Sequence, residues 1–336
     1  MELARRAWLK VTYNSKDISA DLAPYLKSFS FNDVMSGEAD DIQITLEDRQ
    51  ELWQGDWLPN KGDTLKVSIV TKAWELPTDG EKELPLGVFE IDEIRISTPP
   101  NEVKIKAVSV PNNSELRGVD KTHSWEKTKL SVIAQDIASG AGLELFYDTD
   151  DDPELDRAEQ SEQSDLSFLM KLCKDKGLAL KVSDKKVIIF DEEKYEHAEP
   201  VKTIVKSALK SFDLKSSTRE VYKACHVKYQ KSDTKELIEY TYTVPGKDGK
   251  TLQVNDEVKT IGEAEKLAKK KLREKNKDEI TISLSLLGDF DLLAGNMIML
   301  DGFHYFDGKY IITKGIHDIG SGYTMKLDLR RCLDGY

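Results

Sequence analysis

Apolar and polar residues alternate with a period of two through residues 1–114, in short runs separated by turn-forming residues. The runs Ile42 to Leu46 and Leu65 to Ile69, for example, place every second apolar side chain on one face of an extended strand. The segment Asn60-Lys61-Gly62-Asp63 before the second run is typical of a turn. Several short alternating runs with such turns predict a domain of antiparallel strands, a barrel or a sandwich.

The spacing changes in residues 115–203. Between residues 128 and 141 the apolar side chains recur every three or four positions, which predicts an amphipathic helix. A second helix is predicted to begin after the N-cap residue Ser164 and to end at Gly177. Residues 178–190 are typical of a β-hairpin. This segment is therefore predicted to be a small α/β domain inserted between two β-rich parts.

The alternating pattern returns in residues 204–336, with one predicted helix over residues 263–275. Lysines over residues 266–277 alternate with the apolar stripe of this helix, and we interpret them as an ordinary solvated face. The apolar stripe consists of Ala264, Leu267, Ala268 and Leu272.

The two β-rich parts can be laid over each other, which predicts an internal duplication. The predicted equivalences are Ser28–Phe31 with Ser211–Leu214, Ile42/Ile44/Leu46 with Cys225/Val227/Tyr229, Gly62-Asp63 with Gly295-Asn296, and Gly87–Ile91 with Gly308–Ile312. Chance alignment of short alternating patterns is the alternative. The predicted fold is mainly β with an α+β insert. Two tube-like antiparallel β-barrel domains, residues 1–114 and 204–336, flank the small α/β domain of residues 115–203.

Composition narrows the class of protein. The 336 residues are 39% hydrophobic and carry a formal net charge of −12, which argues against a nucleic-acid coat or a clamp on anionic lipid. Cys173, Cys225 and Cys332 are few and far apart, as expected of reduced thiols in a protein made in a cytoplasm. No signal peptide or membrane-spanning run is recognised, so no membrane anchoring is expected.

The sharpest site-like feature is an acidic loop that matches part of the calcium-binding EF-hand pattern. Pro153 stands where that pattern requires a glycine with positive φ, and a strand rather than a helix is predicted before the loop. We therefore interpret the segment as a solvated acidic loop, and a calcium site is the alternative. The candidate ligands are Asp148, Asp150, Asp152, Asp156 and Glu159.

Motifs for catalysis are missing from the sequence. The five histidines form no close metal-binding pair, and we interpret them as surface or interface residues. Cys173 lies on the apolar stripe of a predicted helix, where a buried structural thiol is expected rather than a nucleophile. No nucleophile elbow or phosphate-binding glycine motif is present, so no catalytic residue and no cofactor is predicted. The tryptophans Trp53, Trp57 and Trp74 near turns are candidates for either core or subunit contacts.

Several motifs resemble the phage late control D family, the baseplate hub proteins of contractile tails. Similar domains occur in the T-even phage hub and in the hub portion of the type VI secretion spike. The resemblance implies a homotrimer with two tube-like domains per chain, which caps the tail tube and carries the spike. Since the sequence ends soon after the second predicted barrel, a separate spike protein is implied. The motifs are Ser164–Leu169, Gly177–Leu180, Leu293–Asn296, Asp307–Ile312 and His317.

The predicted function is therefore structural and non-enzymatic: a hub that joins a sixfold tail tube to a threefold spike in a phage, an R-type bacteriocin or a related injection system. The expected partners are further copies of the chain, the tail tube protein, the central spike protein and other baseplate subunits. DNA is expected only as passing cargo. The expected location is the baseplate centre of a particle assembled from protein made in the bacterial cytoplasm. The alternatives are a tail-associated cell-wall hydrolase and a receptor or carbohydrate binder that uses exposed aromatic residues.

Overall fold

The computed structural model describes residues 4–110, 115–231 and 235–336, about half of them in strands. The predicted boundary between the first two domains, after residue 114, falls on a segment outside the described residues. The first β-rich part contains β1 (Arg6–Tyr13), β2 (Lys16–Asp17), α1 (Ser19–Leu22), β3 (Leu26–Val34), β4 (Asp41–Glu47), β5 (Thr64–Lys72), β6 (Glu81–Ser97) and β7 (Glu102–Val108).

The alternating pattern determines which face of these strands is buried. Val11, Phe29, Ile44, Val67 and Ile91, from five different strands, are all almost completely shielded from solvent in a single core. Because side chains alternate between the two faces of a strand, their polar neighbours lie on the outer face. The long strand β6 contributes to this core and then continues beyond the end of β5.

The insert forms a second core around two helices and a three-stranded sheet. Ser164 caps the second helix as predicted, since its hydroxyl accepts a hydrogen bond from the Ser167 amide. Trp125 stacks on Phe168 of that helix with ring centroids 5.3 Å apart. The elements are α2 (Glu115–Gly118), β8 (Asp120–Lys129), α3 (Leu130–Gly140), β9 (Glu144–Asp148), β10 (Glu154–Ser164), α4 (Asp165–Asp175), β11 (Ala179–Ser183), β12 (Lys186–Phe190) and α5 (Glu192–Glu196).

The last part of the chain has two separate cores. One lies between the sheet β16-β15-β17 and α6, where Ala268 and Leu272 pack with Cys225 and Val227. The other belongs to the remaining strands. The elements are β13 (Lys202–Val205), β14 (Leu209–Ser216), β15 (Tyr222–Gln230), β16 (Leu237–Thr243), β17 (Lys250–Val254), α6 (Ile261–Asn276), β18 (Ile280–Leu287), β19 (Met297–Asp301), β20 (Gly308–Ile319) and β21 (Tyr323–Arg331).

The predicted pair of closed barrels differs from the structure. A 13-stranded sheet runs through both β-rich parts, and no sheet of the described residues closes into a barrel. The reason lies in β3, which pairs with β20 of the other half and not with β1. Each half is therefore an open sheet around its own core, and the two are joined by the antiparallel β3–β20 junction.

The two halves have the same strand order. One half reads β3-β4-β7-β6-β5 and the other reads β14-β18-β21-β20-β19. The register also matches: Phe29 pairs with Ile44 on the second strand, and Phe212 with Leu284. Both first pairings are irregular at the same place, between Leu26 and Ser28 and between Leu209 and Ser211.

This order corrects one predicted equivalence. The counterpart of Ile42, Ile44 and Leu46 is the strand of Ile282, Leu284 and Leu286, not that of Cys225 and Val227. The sequence match was misleading because β15, β16, β17 and α6 are interposed between the first two strands of the second half. Cys225 lies instead in the separate three-stranded sheet under α6.

Another predicted equivalence agrees with the backbone hydrogen bonds. The Gly62 amide donates to the Ile91 carbonyl at 2.9 Å, and the Gly295 amide donates to the Ile312 carbonyl at 2.8 Å. Both glycines have positive φ, 89° and 91°, a conformation that favours glycine. The outermost strands differ between the halves, since β1 pairs antiparallel with β5 whereas β13 pairs parallel with β19.

Candidate functional site

The carboxylates of the predicted acidic loop have different hydrogen-bond and ion-pair partners. Asp148 accepts hydrogen bonds from Lys194 and from the Tyr195 hydroxyl, at 2.8 Å for the latter, and these bonds lower the pKa of Asp148. Asp152 accepts from the Ser131 hydroxyl at 2.7 Å and from the Ser131 amide at 3.0 Å.

The more distal carboxylates diverge further. Asp156 lies 2.7 Å from Lys259, Glu159 lies 3.2 Å from Arg157, and Asp150 is exposed. Among the described residues no three His, Cys, Asp or Glu side chains are grouped as metal ligands. The interpretation as a solvated acidic loop, with calcium binding as the alternative, stays a prediction, because the distribution of the side chains does not itself test the affinity.

The acidic loop instead contacts helix α6. Asp151 lies 3.4 Å from Lys266 and forms a closer ion pair with Lys270, whose ammonium also donates to the Lys176 carbonyl at 2.8 Å. Burial raises the pKa of Asp151, but the hydrogen bond and charge of Lys270 outweigh burial, so the pKa lies below its usual range. The predicted solvated lysine face is therefore wrong at Lys270, which attaches α6 to the insert.

A buried ion network links α5, α6 and β21. The Arg330 guanidinium donates to Glu196 at 2.5 Å and to Glu192 at 2.7 Å. Arg273 Nη2 lies 2.5 Å from the same Glu196 oxygen as an ion pair, without the alignment of a hydrogen bond. Burial raises the pKa of Glu192, but Arg330 and Lys277 outweigh it and lower the pKa overall. The network fixes the insert against both cores of the last part of the chain.

A second buried charge cluster lies where three parts of the chain meet. Lys181 on β11 donates to Asp33 at 2.6 Å and lies 3.1 Å from Asp40. Asp33 also accepts from the Ala294 amide at 2.7 Å, and Asp40 accepts from the Val34 amide at 2.9 Å. The first half, the insert and the second half are therefore held at one point.

The predicted histidines and cysteine do not come together. His317 is fully buried, contrary to the surface or interface position predicted for it, and its Nδ1 lies 2.7 Å from the Tyr323 hydroxyl. Burial lowers the pKa of His317 to about 4, because the charged form is poorly solvated there. Burial also raises the pKa of the Cys173 thiol to about 12, which keeps it protonated and unreactive.

The three tryptophans have different environments. Trp53 is buried and makes an edge contact with Trp57, with ring centroids 5.5 Å apart. Trp74 lies across the boundary between the halves, where its indole donates to the Gly288 carbonyl at 2.7 Å. Trp53 therefore belongs to the core, whereas Trp57 is the exposed member of the three, and a subunit contact by Trp57 stays a prediction.

A cleft of about 470 Å³ lies between the insert and α6, lined by Met170, Lys174, Lys270, Arg273 and Glu192 among others. Lys270, Arg273 and Glu192 are engaged in the ion pairs described above. No helix in the described ranges is long and apolar enough to cross a bilayer.

Comparison with known proteins gives consistent relatives. A family model described as YQBQ-like matches residues 181–330. The probable baseplate hub proteins of Escherichia phages P2 and 186 are 28% and 27% identical over 165 and 179 residues. These matches cover 49% and 53% of this chain but only 40% and 43% of those proteins, so the chain spans about two fifths of the length of the curated relatives it matches.

Solved structures agree on the fold. The tail protein from Neisseria meningitidis MC58 superposes with a TM-score of 0.72 over 98% of this chain and 97% of its own, at 14% identity. At that identity the match shows a common fold. The relatives bear the names of structural tail components and not of enzymes. The resemblance to baseplate hub proteins of phage tails, predicted from the sequence motifs, is thereby confirmed, and the expectation of a structural rather than an enzymatic protein agrees with the names of these relatives.

Proposed function

We propose that this chain is the hub of a contractile-tail baseplate, a homotrimer that joins the sixfold tail tube to the threefold spike. The observation that carries the proposal is the pair of register-matched halves in a chain similar to baseplate hub proteins. We infer that the halves arose by internal duplication. A trimer would then present six similar units around one axis and so match sixfold symmetry on one side and threefold symmetry on the other.

The proposed partners are the tail tube protein above, the central spike below and the other baseplate subunits around. The buried ion clusters support this role, because they hold both halves and the insert in fixed positions. The acidic net charge supports a channel that does not retain DNA phosphates as the cargo passes. The proposed location is the baseplate centre of a phage, a bacteriocin or a related injector.

The proposal is tested by multi-angle light scattering of the full chain, alone and mixed with the spike protein of the same particle. The expected results are a trimer and a stoichiometric complex with the spike. A monomer that ignores the spike contradicts the hub assignment. A clearing zone on a peptidoglycan zymogram, absent from a mock purification, would contradict the non-enzymatic assignment.

A further inference from the structure

Among the strand edges that stay unpaired in the described residues, two belong to the strands that are equivalent to β3 and β20. β14 pairs with β18 on one side only, and it is exposed on both faces over most of its length. β6 pairs with β5 only as far as Glu90, so residues 93–97 have β7 on one side and no strand on the other. An unpaired strand edge presents backbone donors and acceptors to any chain that can add a strand.

The junction inside the chain shows what such an edge can pair with. β3 pairs antiparallel with the second part of β20, from Phe29 opposite Ile319 to Val34 opposite Lys314. By the matched strand order, β14 is the counterpart of β3 and β6 is the counterpart of β20. The pairing of β6 with β7 is irregular between Ile91 and Glu93, and that of β20 with β21 at the equivalent place.

The unpaired residues of β6 are therefore the counterparts of the residues of β20 that β3 covers. We propose that β14 of one copy adds, antiparallel, to residues 93–97 of β6 in a second copy of this chain. The inference rests on the proposed function only for the number of copies, since the edge equivalence comes from the strand order and register. It identifies the self-contact that the proposed trimer requires.

The register of the internal junction transfers directly to the proposed one. Phe31 opposite His317 becomes Leu214 opposite Ile96, and Ser30 opposite Asp318 becomes Asp213 opposite Ser97. Because the side-chain period of a strand is two, this register alone determines which side chains share a face.

In this register the two faces of the new pairing are chemically consistent. One face combines Phe212 and Leu214 with Ile94 and Ile96. Phe212 is 40% exposed and Ile96 is 42% exposed in the single chain, although both are large apolar residues. Strand addition brings these two residues onto one apolar face, beside the two existing cores, as Phe29 and Ile319 are at the internal junction.

The other face carries two charges of each sign. Lys215 lies directly opposite Arg95, which opposes the pairing, and the diagonal neighbours Asp213 and Glu93 offset this repulsion by placing a carboxylate beside each cation. A lysine on an edge strand commonly protects that edge from pairing. Here Lys215 instead has a complementary Glu93 in the partner strand, whereas a slip by one residue would place the charges on the apolar face.

The contact is head-to-tail, because different edges of the two copies meet. A heterologous contact of this kind closes into a ring when its rotation is compatible, and otherwise forms a filament. In such a ring, the β3–β20 pairing within each copy alternates with the proposed β14–β6 pairing between copies. Both pairings have the same strand geometry.

The test is disulfide cross-linking of the full chain carrying Asp213→Cys and Ser97→Cys. Directly opposite residues in an antiparallel pair have Cα atoms roughly 4.5–5.5 Å apart, within disulfide range. We expect cross-linked oligomers on a non-reducing gel, and none from either single substitution, because the contact is not isologous. The register control pairs Asp213→Cys with Glu93→Cys, about four residues or roughly 13 Å out of register.

A second variant tests the apolar face without cysteine chemistry. Ile96→Glu places a carboxylate in that face, and we expect the concentration for half-assembly to rise about tenfold or more. Leu76→Glu is the matched control, since Leu76 is 60% exposed in a loop of the same half and lies off both edges. Circular dichroism verifies that both variants remain folded.

The outcomes separate this contact from the hub assignment. An oligomer by light scattering that cross-links equally well through the control pair, or not at all, overturns the strand addition and leaves the hub proposal standing. Unchanged assembly of Ile96→Glu likewise overturns it. A chain that stays monomeric at the cross-linking concentration, both alone and mixed with the spike protein, overturns both.

Discussion

Lys181→Met tests the charge cluster that joins the three parts of the chain. Lys181 is mostly buried and its ammonium contacts both Asp33, at 2.6 Å, and Asp40, at 3.1 Å. Burial lowers the pKa of Lys181, but the two carboxylates outweigh burial and raise it. Methionine retains the length and apolar stem of the side chain, so the substitution removes the charge with little loss of packing volume.

The expected cost follows from what remains after the cation is removed. Two buried carboxylates then face each other without a counter-charge, and breaking a buried pair in this way costs about 3–5 kcal/mol. Local opening at the junction should become more frequent by a factor of roughly 10² to several times 10³, since each 1.4 kcal/mol is tenfold. Acidification should recover part of the loss.

The sign of that pH dependence follows from the variant's carboxyl groups. Burial already raises the pKa of Asp40 in the native protein, and loss of Lys181 raises it further. A carboxyl whose folded pKa exceeds its unfolded pKa favours the folded state at low pH and loses that contribution as pH rises. The variant should therefore be closer to the native protein at pH 5 than at pH 7.

Amide hydrogen exchange of β11 and β3 is the assay, because it reports local opening in a chain that need not unfold in two states. Lys194→Met is the control, since Lys194 forms an exposed pair with Asp148 and should cost less than about 1 kcal/mol. The reasoning is refuted if the exchange rates of β11 and β3 in Lys181→Met equal those in the control, or if they rise equally at both pH values.

Three further predictions concern the matched turns, the buried histidine and the attachment of α6. Gly62→Ala and Gly295→Ala should each cost about 1 kcal/mol, because both force a side chain into positive φ, and unequal costs by urea unfolding would contradict equivalent turns. His317 is buried neutral, so the native free energy of unfolding should fall by up to about 3 kcal/mol between pH 6.5 and about 4, as the unfolded state takes up the proton first. His317→Gln should remove that dependence in a thermal-shift series across the same pH range, and an unchanged slope would contradict a neutral His317. Lys270→Met should weaken the contact with Asp151 by about 1 kcal/mol at low salt and by less at high salt, whereas a salt-independent loss in calorimetry would indicate packing as the cause.

The local patterns of the sequence predicted much of the secondary structure. The helix after Ser164, the hairpin of residues 178–190 and the helix over 263–275 all form, because their capping and periodicity are local properties of the chain. The equivalence of Gly62 with Gly295 also agrees with the structure, since a turn with positive φ favours glycine and can therefore be recognised in the sequence. The matching of Cys225 to the wrong strand shows the limit of such patterns, because alternating apolar residues fit many strands equally well.

The sequence by itself determined most of the helices, many of the strands, the resemblance to tail hub proteins and the repeated turns, but not the strands β8 and β10. Only the tertiary structure decided that β3 pairs with β20, that Lys270 faces the insert, that His317 is buried, and that β14 and the end of β6 remain open. The physical reason is that strand order and register depend on contacts between residues far apart in the chain, whereas periodicity and capping depend on near neighbours. The edges left open by this long-range pairing are also the surfaces through which we propose that the copies assemble.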